Sequence, residues 1–342
     1  MSAAITFRPK QITKSLLVTI PSRARDVVVG RFGLGDTPER KTLEAIGNTY
    51  GITRERVRQI ENLALASMQK SEAFEKAKTA FKELRDLLDS LGGIVAEDDL
   101  LEHITNDKVL QNHITLLLIL SDEFAKHKED NTFKHRWVVN DKVAEQVHAA
   151  LHTLHKEIFE DDLIPENEIV QKFMERIKLD ESVKNEEAAR RWLRISKVLG
   201  KNPLGDWGIA SSPNINARGI RDYAFLVIRR HGSPMHFTEV AKAITETFGK
   251  KAHVATCHNE LIKDGRFVLV GRGLYVLSEW GYTGGVVKDV IRQILAKEGP
   301  LTKQEIIDKV MKERYVKENT ILVNLQNTNF FKKDKEGKYT NA

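Results

Sequence analysis

Four ten-residue segments of the chain share one pattern: VAEDDLLEHI at 95–104, IPENEIVQKF at 164–173, MHFTEVAKAI at 235–244 and LTKQEIIDKV at 301–310. Each is apolar at its first, sixth and tenth positions and acidic at its fifth, at Asp99, Glu168, Glu239 and Glu305. Three of them follow a helical run that ends in glycine, at Gly92 and Gly93, at Gly232 and at Gly299. Each is followed by a second helical stretch and then an aromatic in a strand-like tail. Trp137, Trp207, Tyr275 and Tyr339 stand 38, 39, 36 and 34 residues after the acidic position. Such regularity means one supersecondary unit used four times. RFVLVGRGLYVL at 266–277 is its clearest ending, two apolar strands joined through Gly271, Arg272 and Gly273 as a hairpin. Three helices closed by a hairpin make a winged helix.

The repeats place winged-helix-like units at 92–142, 148–210, 218–280 and 285–342. Breaks are expected in SSPNINARG (211–219) and GYTGG (281–285), both rich in turn residues. Ahead of the first unit, Phe74, Phe81 and Leu88 fall seven apart, and Ala77, Leu84 and Leu91 stand three behind each. Residues 71–91 therefore read as a linker helix packed on its own chain, since two heptads are too few to argue a coiled-coil dimer. The expected fold class is mainly α, with short β-hairpins.

Residues 1–70 form a different kind of domain. SRARDVVVGRFGL, RKTLEAIGNTY and TRERVRQIENLALASM read as short helices, with Gly33, Gly35 and Pro38 in the first gap. The second gap is only YGI, where Gly51 can take the positive φ that lets one helix end and another start at a steep angle. Thr53 is a good N-cap for the next helix. Leu43, Ile46, Ile52, Val57 and Ile60 supply a shared core, and Gly47 lets the two helices approach. This is the pattern of a helix-turn-helix, whose second helix enters the major groove. Arg54, Glu55, Arg58 and Gln59 share one side of its N-terminal half and have the chemistry of base readers. Arg56 and Thr53 are better placed for phosphates. The competing reading is a salt-bridged solvent face, because Glu55 and Arg58 also pair at i, i+3; the turn and core spacing favour DNA.

Charge supports that choice. The net +6 lies entirely in residues 1–70, which hold 12 Lys and Arg against 6 Asp and Glu, while residues 71–342 hold 42 of each. The excess suggests a phosphate-bearing partner at that end. A hydrophobic content of 41% over 342 residues is enough for two or three real cores. The longest apolar run, ITLLLIL at 114–120, is far short of the roughly 20 residues a membrane span requires. With no signal-peptide core at its start, the chain reads as soluble and cytoplasmic. A single cysteine, Cys257, leaves no internal disulfide and no cysteine-based zinc site.

RDVVVGRFGL…KTLEAIGNTYGITRERVRQIENLAL resembles the fourth region of primary-type bacterial sigma factors, the domain that recognises the upstream promoter hexamer; the similarity covers roughly residues 16–70. The resemblance implies base reading by Arg54, Glu55, Arg58 and Gln59, and docking on the flap of the RNA polymerase β subunit. A sigma factor also needs an upstream region that melts the promoter, and only a short stretch precedes this one, so a complete sigma factor is not expected. The third repeat, through GSPMHFTEVAKAI and GRFVLVGRGLYVL, is similar to the winged-helix domains called HARE-HTH, also found in the δ subunit of some bacterial RNA polymerases and beside DNA-modification enzymes.

In the second unit EAARRWLRISK presents Arg190, Arg191, Arg194 and Lys197, and in the third Lys250, Lys251, Lys263 and Arg272 surround the same zone, so both units are candidates for secondary phosphate contacts. The corresponding stretches of the first and fourth, ITLLLILSDEF and NTILVNLQNTN, have almost no positive charge; protein docking is an equal expectation for the repeats. His148, His152 and His155 have a metal-compatible helical spacing, yet nothing completes a motif, and a surface or core stripe is favoured. His253, Cys257 and His258 point in different directions on one helix, and nothing marks an oxyanion site. No phosphate-binding loop, dinucleotide fingerprint or paired catalytic carboxylate appears. The chain therefore reads as a non-enzyme without cofactor or metal: a nucleoid-associated bacterial transcription factor whose partners are duplex DNA and RNA polymerase. The alternatives are an adaptor that holds the polymerase flap and hardly reads DNA, or a modified-DNA sensor in a defence system.

Overall fold

The computed structural model describes residues 5–179, 184–282 and 284–342. The described chain is mainly helical, with small antiparallel sheets of two or three strands. It forms two compact units. The first runs to Gly200 and takes in Trp207–Ala210; the second holds Lys201–Asp206 and Ser211–Ala342.

The first unit opens with α1 (Pro9–Val18), α2 (Ser22–Phe32), α3 (Leu43–Tyr50), α4 (Arg54–Gln69) and the short α5 (Glu72–Lys76). The first repeat follows as α6 (Lys78–Ser90), β1 (Ile94–Ala96), α7 (Glu97–Ile104), α8 (Lys108–Leu120), β2 (Ala125–His127) and β3 (Arg136–Val138). The second has α9 (Asp141–Glu157), α10 (Glu166–Arg176), α11 (Glu186–Leu193), β4 (Leu199–Lys201) and β5 (Trp207–Ile209). In the second compact unit the third repeat is α12 (Ile220–His231), β6 (Met235–His236), α13 (Phe237–Phe248), α14 (Val254–Lys263), β7 (Phe267–Leu269) and β8 (Leu274–Leu277). The fourth is α15 (Val287–Glu298), β9 (Leu301–Thr302), α16 (Lys303–Glu313), α17 (Glu318–Leu325), β10 (Phe331–Lys333) and β11 (Lys338–Asn341).

The strand register explains the repeated pattern. Its first apolar residue lies directly opposite the distant aromatic in all four repeats: Val95 opposite Trp137, Ile164 opposite Trp207, Met235 opposite Tyr275, and Leu301 opposite Tyr339. The acidic fifth position lies in the first turn of α7, α10, α13 and α16, where unpaired N–H groups favour a carboxylate. In α13 and α16 it closes a capping box: Glu239 Oε2 accepts from the His236 N–H at 3.2 Å, and Glu305 Oε2 from the Thr302 N–H at 2.8 Å. The sixth position, buried in every repeat, begins the helix's inner face.

Two sequence expectations take a different form. The expected linker helix over 71–91 is two helices, α5 and α6, and α6 stands where α9, α12 and α15 stand in the other repeats, with Phe81, Leu84 and Leu88 buried. The turn-rich stretch 211–219 is well packed: Ser212 and Asn214 are buried, and the Tyr223 hydroxyl donates to the Ala217 carbonyl at 3.0 Å. Of the break expected at 281–285, Thr283 lies outside the described residues.

One apolar core joins the first four helices to the first repeat. Leu16, Leu17, Val28, Phe32, Ala64 and Met68 pack with α8, of which Ile114, Leu116, Leu117, Leu118 and Leu120 are wholly buried. A polar clamp fixes this contact. Asn112 donates to the carbonyls of Gly33 and Pro38, both at 3.0 Å, and accepts from Arg40 Nε at 2.8 Å and Nη2 at 2.6 Å. A second core joins the two repeats of this unit, where the buried Trp192 indole donates to the Gly92 carbonyl at 3.1 Å. Gly92 has φ 108°, and a Cβ there would stand 2.9 Å from the indole nitrogen, so only glycine fits.

The histidine stripe of α9 is structural. His148 Nε2 accepts from Arg136 Nε at 2.8 Å, and both His148 and His152 lie against the Phe133 ring. Burial and then the Arg136 charge push the His148 imidazole down to about 4. The unfolded chain therefore takes up this proton from its ordinary value of 6.5 downward while the folded chain resists until about 4.

Two measurements check these contacts. Stability to urea should fall as pH drops from 6.5 towards 4, and His148→Gln should flatten that dependence in part, burial also lowering His113. Asn112→Ala, which leaves Arg40 and two carbonyls without their partner, should cost about 1–3 kcal/mol in the same unfolding measurement. An unchanged midpoint would show that the clamp contributes nothing.

Candidate nucleic-acid interface

The angle between α3 and α4 is set by two glycines. The chain leaves α3 at Gly51 with φ 64° and ψ 34°, a left-handed conformation, and the Ile52 N–H turns back to the Gly47 carbonyl at 3.0 Å. A Cβ on Gly47 would stand 2.5 Å from the Ile52 carbonyl oxygen, so α3 must be bare where the turn crosses it. Thr53 then caps α4, its hydroxyl oxygen accepting from the Arg56 N–H at 3.2 Å. Val27, Ile46 and Val57 form a small buried core, flanked by Leu43, Tyr50, Ile52 and Ile60.

Polar contacts lock the three helices around that core. Arg31 pairs with Glu61 at 3.2 Å, tying α2 to α4, and also donates to the Lys41 carbonyl at 2.8 Å. The Tyr50 hydroxyl donates to Asp26 at 3.2 Å, tying α3 to α2. Neither contact carries a sequence signal, because each partner lies on a different helix.

The outward side of α4's first two turns consists of Arg54, Glu55, Arg56, Arg58 and Gln59, all exposed. Arg58 forks onto Glu55, with Nε at 2.9 Å and Nη2 at 2.6 Å, and this hydrogen bond is the main reason the Glu55 carboxyl is held below its ordinary range. Arg56 donates to Gln59 Oε1 at 3.0 Å. Arg54 has no side-chain partner among the described residues. The salt-bridged solvent face and the reading face are thus the same surface in two states. Each ion-pair partner is about half exposed, at 53% and 55%, and such a surface pair is worth at most about 1 kcal/mol. A bidentate contact to guanine contributes about 1–3 kcal/mol of discrimination, enough to open it.

The secondary cations divide into two groups. On and after α11, Arg190 pairs with Glu186 at 2.8 Å and Arg191 with Glu187 at 2.5 Å, while Arg194 faces Asp99 at 3.7 Å. Lys197 lies 3.4 Å from Glu129 and donates to the Asp130 carbonyl at 3.0 Å. Each of these four is thus matched by acidic groups of the chain. Around α14, Lys250, Lys251, Lys263 and Arg272 are all exposed. Lys250 lies 5.0 Å over the Tyr223 ring, and no ion pair engages the four among the described residues. Cys257 is buried, which pushes its thiol up to about 11, and His258 packs on Phe237 with ring centroids 4.3 Å apart. No helix of the described chain is long and apolar enough to cross a membrane.

Residues 16–70 match the family model described as Sigma-70, region 4, and residues 220–280 match the HARE-HTH model, described as a restriction endonuclease HTH domain. The first match covers α2, α3 and α4 with the turn between the last two, and the second covers α12 through β8. Both are helix-turn-helix domains of the DNA-binding kind, and by them this chain is a DNA-binding, helix-turn-helix regulatory protein.

Proposed function

We propose that this protein regulates transcription by reading a short, promoter-like duplex site with the N-terminal half of α4. The observation that carries the reading is the contrast between the two sides of that helix: Arg54, Glu55, Arg58 and Gln59 stand exposed, while Val57 is wholly buried against α2 and α3. Arginine and glutamine there can bond guanine and adenine edges in the major groove, and glutamate can accept from a cytosine amino group. Thr53 and Arg56, at the start of the helix, would hold phosphates and fix the register.

The adaptor alternative requires an open apolar surface for a polymerase segment. The apolar sides of α1 and α2 and of the C-terminal half of α4 are instead buried on α8. Val18 and Leu63 are the large apolar side chains left exposed on α1 to α4, and scattered single residues of this kind are ordinary surface. This favours DNA as the primary partner, with RNA polymerase as a further one near the site. The exposed cations around α14 would add phosphate contacts from the second compact unit.

Arg58→Ala in the full chain should weaken binding to the preferred duplex, identified by selection from a random library, by roughly 1–3 kcal/mol and relax base preference at one position. Arg56→Ala should weaken preferred and random duplexes alike, with a shallower salt dependence. Equal losses on both duplexes for Arg58→Ala would remove it from the readers. Tight capture of RNA polymerase core without sequence preference on DNA would favour the adaptor.

A further inference from the structure

The hairpin turns of the first three repeats are all engaged by protein. Between β2 and β3, Phe133 bridges Ser196, the Lys134 N–H donates to the Ile195 carbonyl at 2.9 Å, and the Lys197 N–H donates to the Thr132 carbonyl at 2.7 Å. The turn after β4, Lys201–Asp206, belongs with the second compact unit, where the buried Asn202 donates to the Asn214 carbonyl at 3.4 Å. The turn after β7 is held by the segment between α16 and α17: the Tyr315 N–H donates to the Val270 carbonyl at 2.7 Å and Arg314 Nη1 to the Leu269 carbonyl at 2.9 Å. Gly271 is so close that a Cβ there would stand 2.9 Å from the Tyr315 oxygen.

The fourth turn, between β10 and β11, touches no other repeat among the described residues, and it is the basic one. KKDKEGK at 332–338 has four lysines against two acids. Asp334 is turned inward: its Oδ1 accepts from the Glu336 N–H at 2.9 Å and the Lys338 N–H at 2.8 Å. Glu336 lies 3.7 Å from Lys338. Lys332, Lys333 and Lys335 are left exposed. Nor is the hairpin loose, since β11 pairs with both β10 and β9, and Asn341 Nδ2 donates to the Arg292 carbonyl of α15 at 3.0 Å. The Arg292 side chain is exposed on that helix.

We infer that this free turn is a second duplex-binding surface, which grips backbone phosphates through Lys332, Lys333 and Lys335 without reading sequence. Lysine is a compact point charge suited to phosphate and poor at bidentate base recognition. The third helix of the same repeat, α17, carries no cation in ENTILVNL and offers no guanine reader beside the turn. The surface therefore contributes affinity and salt dependence and leaves selectivity to α4. The inference rests on the DNA reading proposed above, but not on which residues of α4 read bases.

The test uses the full chain titrated on the preferred duplex and on a random duplex of equal length at several salt concentrations. Changing Lys332, Lys333 and Lys335 to Glu together should lower affinity for both duplexes equally, by about ten-fold or more, and reduce the slope of log affinity against log salt by roughly 2–3. The matching triple change to Arg should bind as the unaltered chain does, which separates charge from folding. Unchanged affinities and slope in the triple Glu variant would overturn the inference and leave the α4 reading intact. If Arg58→Ala weakens both duplexes equally while the triple Glu variant still flattens the salt dependence, the α4 reading falls and this surface stands. If the unaltered chain retains neither duplex at low salt, both fall.

Discussion

Each repeat is closed by one antiparallel contact, an apolar residue just before the second helix lying opposite an aromatic of the last strand. Val95 with Trp137 is the most buried example, at 1% exposure for both side chains. The contact joins the middle of the repeat to its end, 34 to 39 residues from acid to aromatic, so the helices between are enclosed before any other unit is met. Aromatic and aliphatic strand pairs stabilise such short sheets, which have few ladder bonds of their own. The same closure leaves the hairpin turn projecting, free to engage whatever lies next to it.

The helix-turn-helix depends on the repeats in a way its own residues do not show. Its three-residue core of Val27, Ile46 and Val57 is small, and a domain that buries so little is marginal alone. The larger share of its apolar surface is covered by α8. In the first repeat, then, the third helix is a structural post for the reading domain. In the third repeat the equivalent α14 keeps Val254, Thr256, Asn259 and Ile262 exposed. One supersecondary unit thus serves as scaffold in one place and as surface in another, according to which face its neighbours cover.

Local geometry was legible wherever it depended on residues close in sequence. Gly47, Gly51 and Thr53 stand within seven positions and together specify the bend, the close approach and the cap that aim α4. The Glu55 and Arg58 pair was also legible, because i, i+3 neighbours meet on any helix. The fourfold repeat could be read because the strand pairing that requires an apolar residue and an aromatic recurs at nearly constant spacing. Asn112 offered one weak clue, a polar residue heading an apolar helix, and its partners Gly33, Pro38 and Arg40 lie more than 70 positions away.

The sequence by itself determined the kinds of unit, their order, and the side chains that α4 presents, since these follow from turn chemistry and periodicity. Only the tertiary structure decided which of those units remain available. Arg190, Arg191, Arg194 and Lys197 look free in a string of residues and are matched by acidic groups in the fold. Lys332, Lys333 and Lys335 look like an ordinary solvated turn, yet theirs is the hairpin that no neighbouring repeat holds among the described residues. Availability depends on the solvent that packing leaves to a surface, and packing joins residues whose separation along the chain no local pattern encodes.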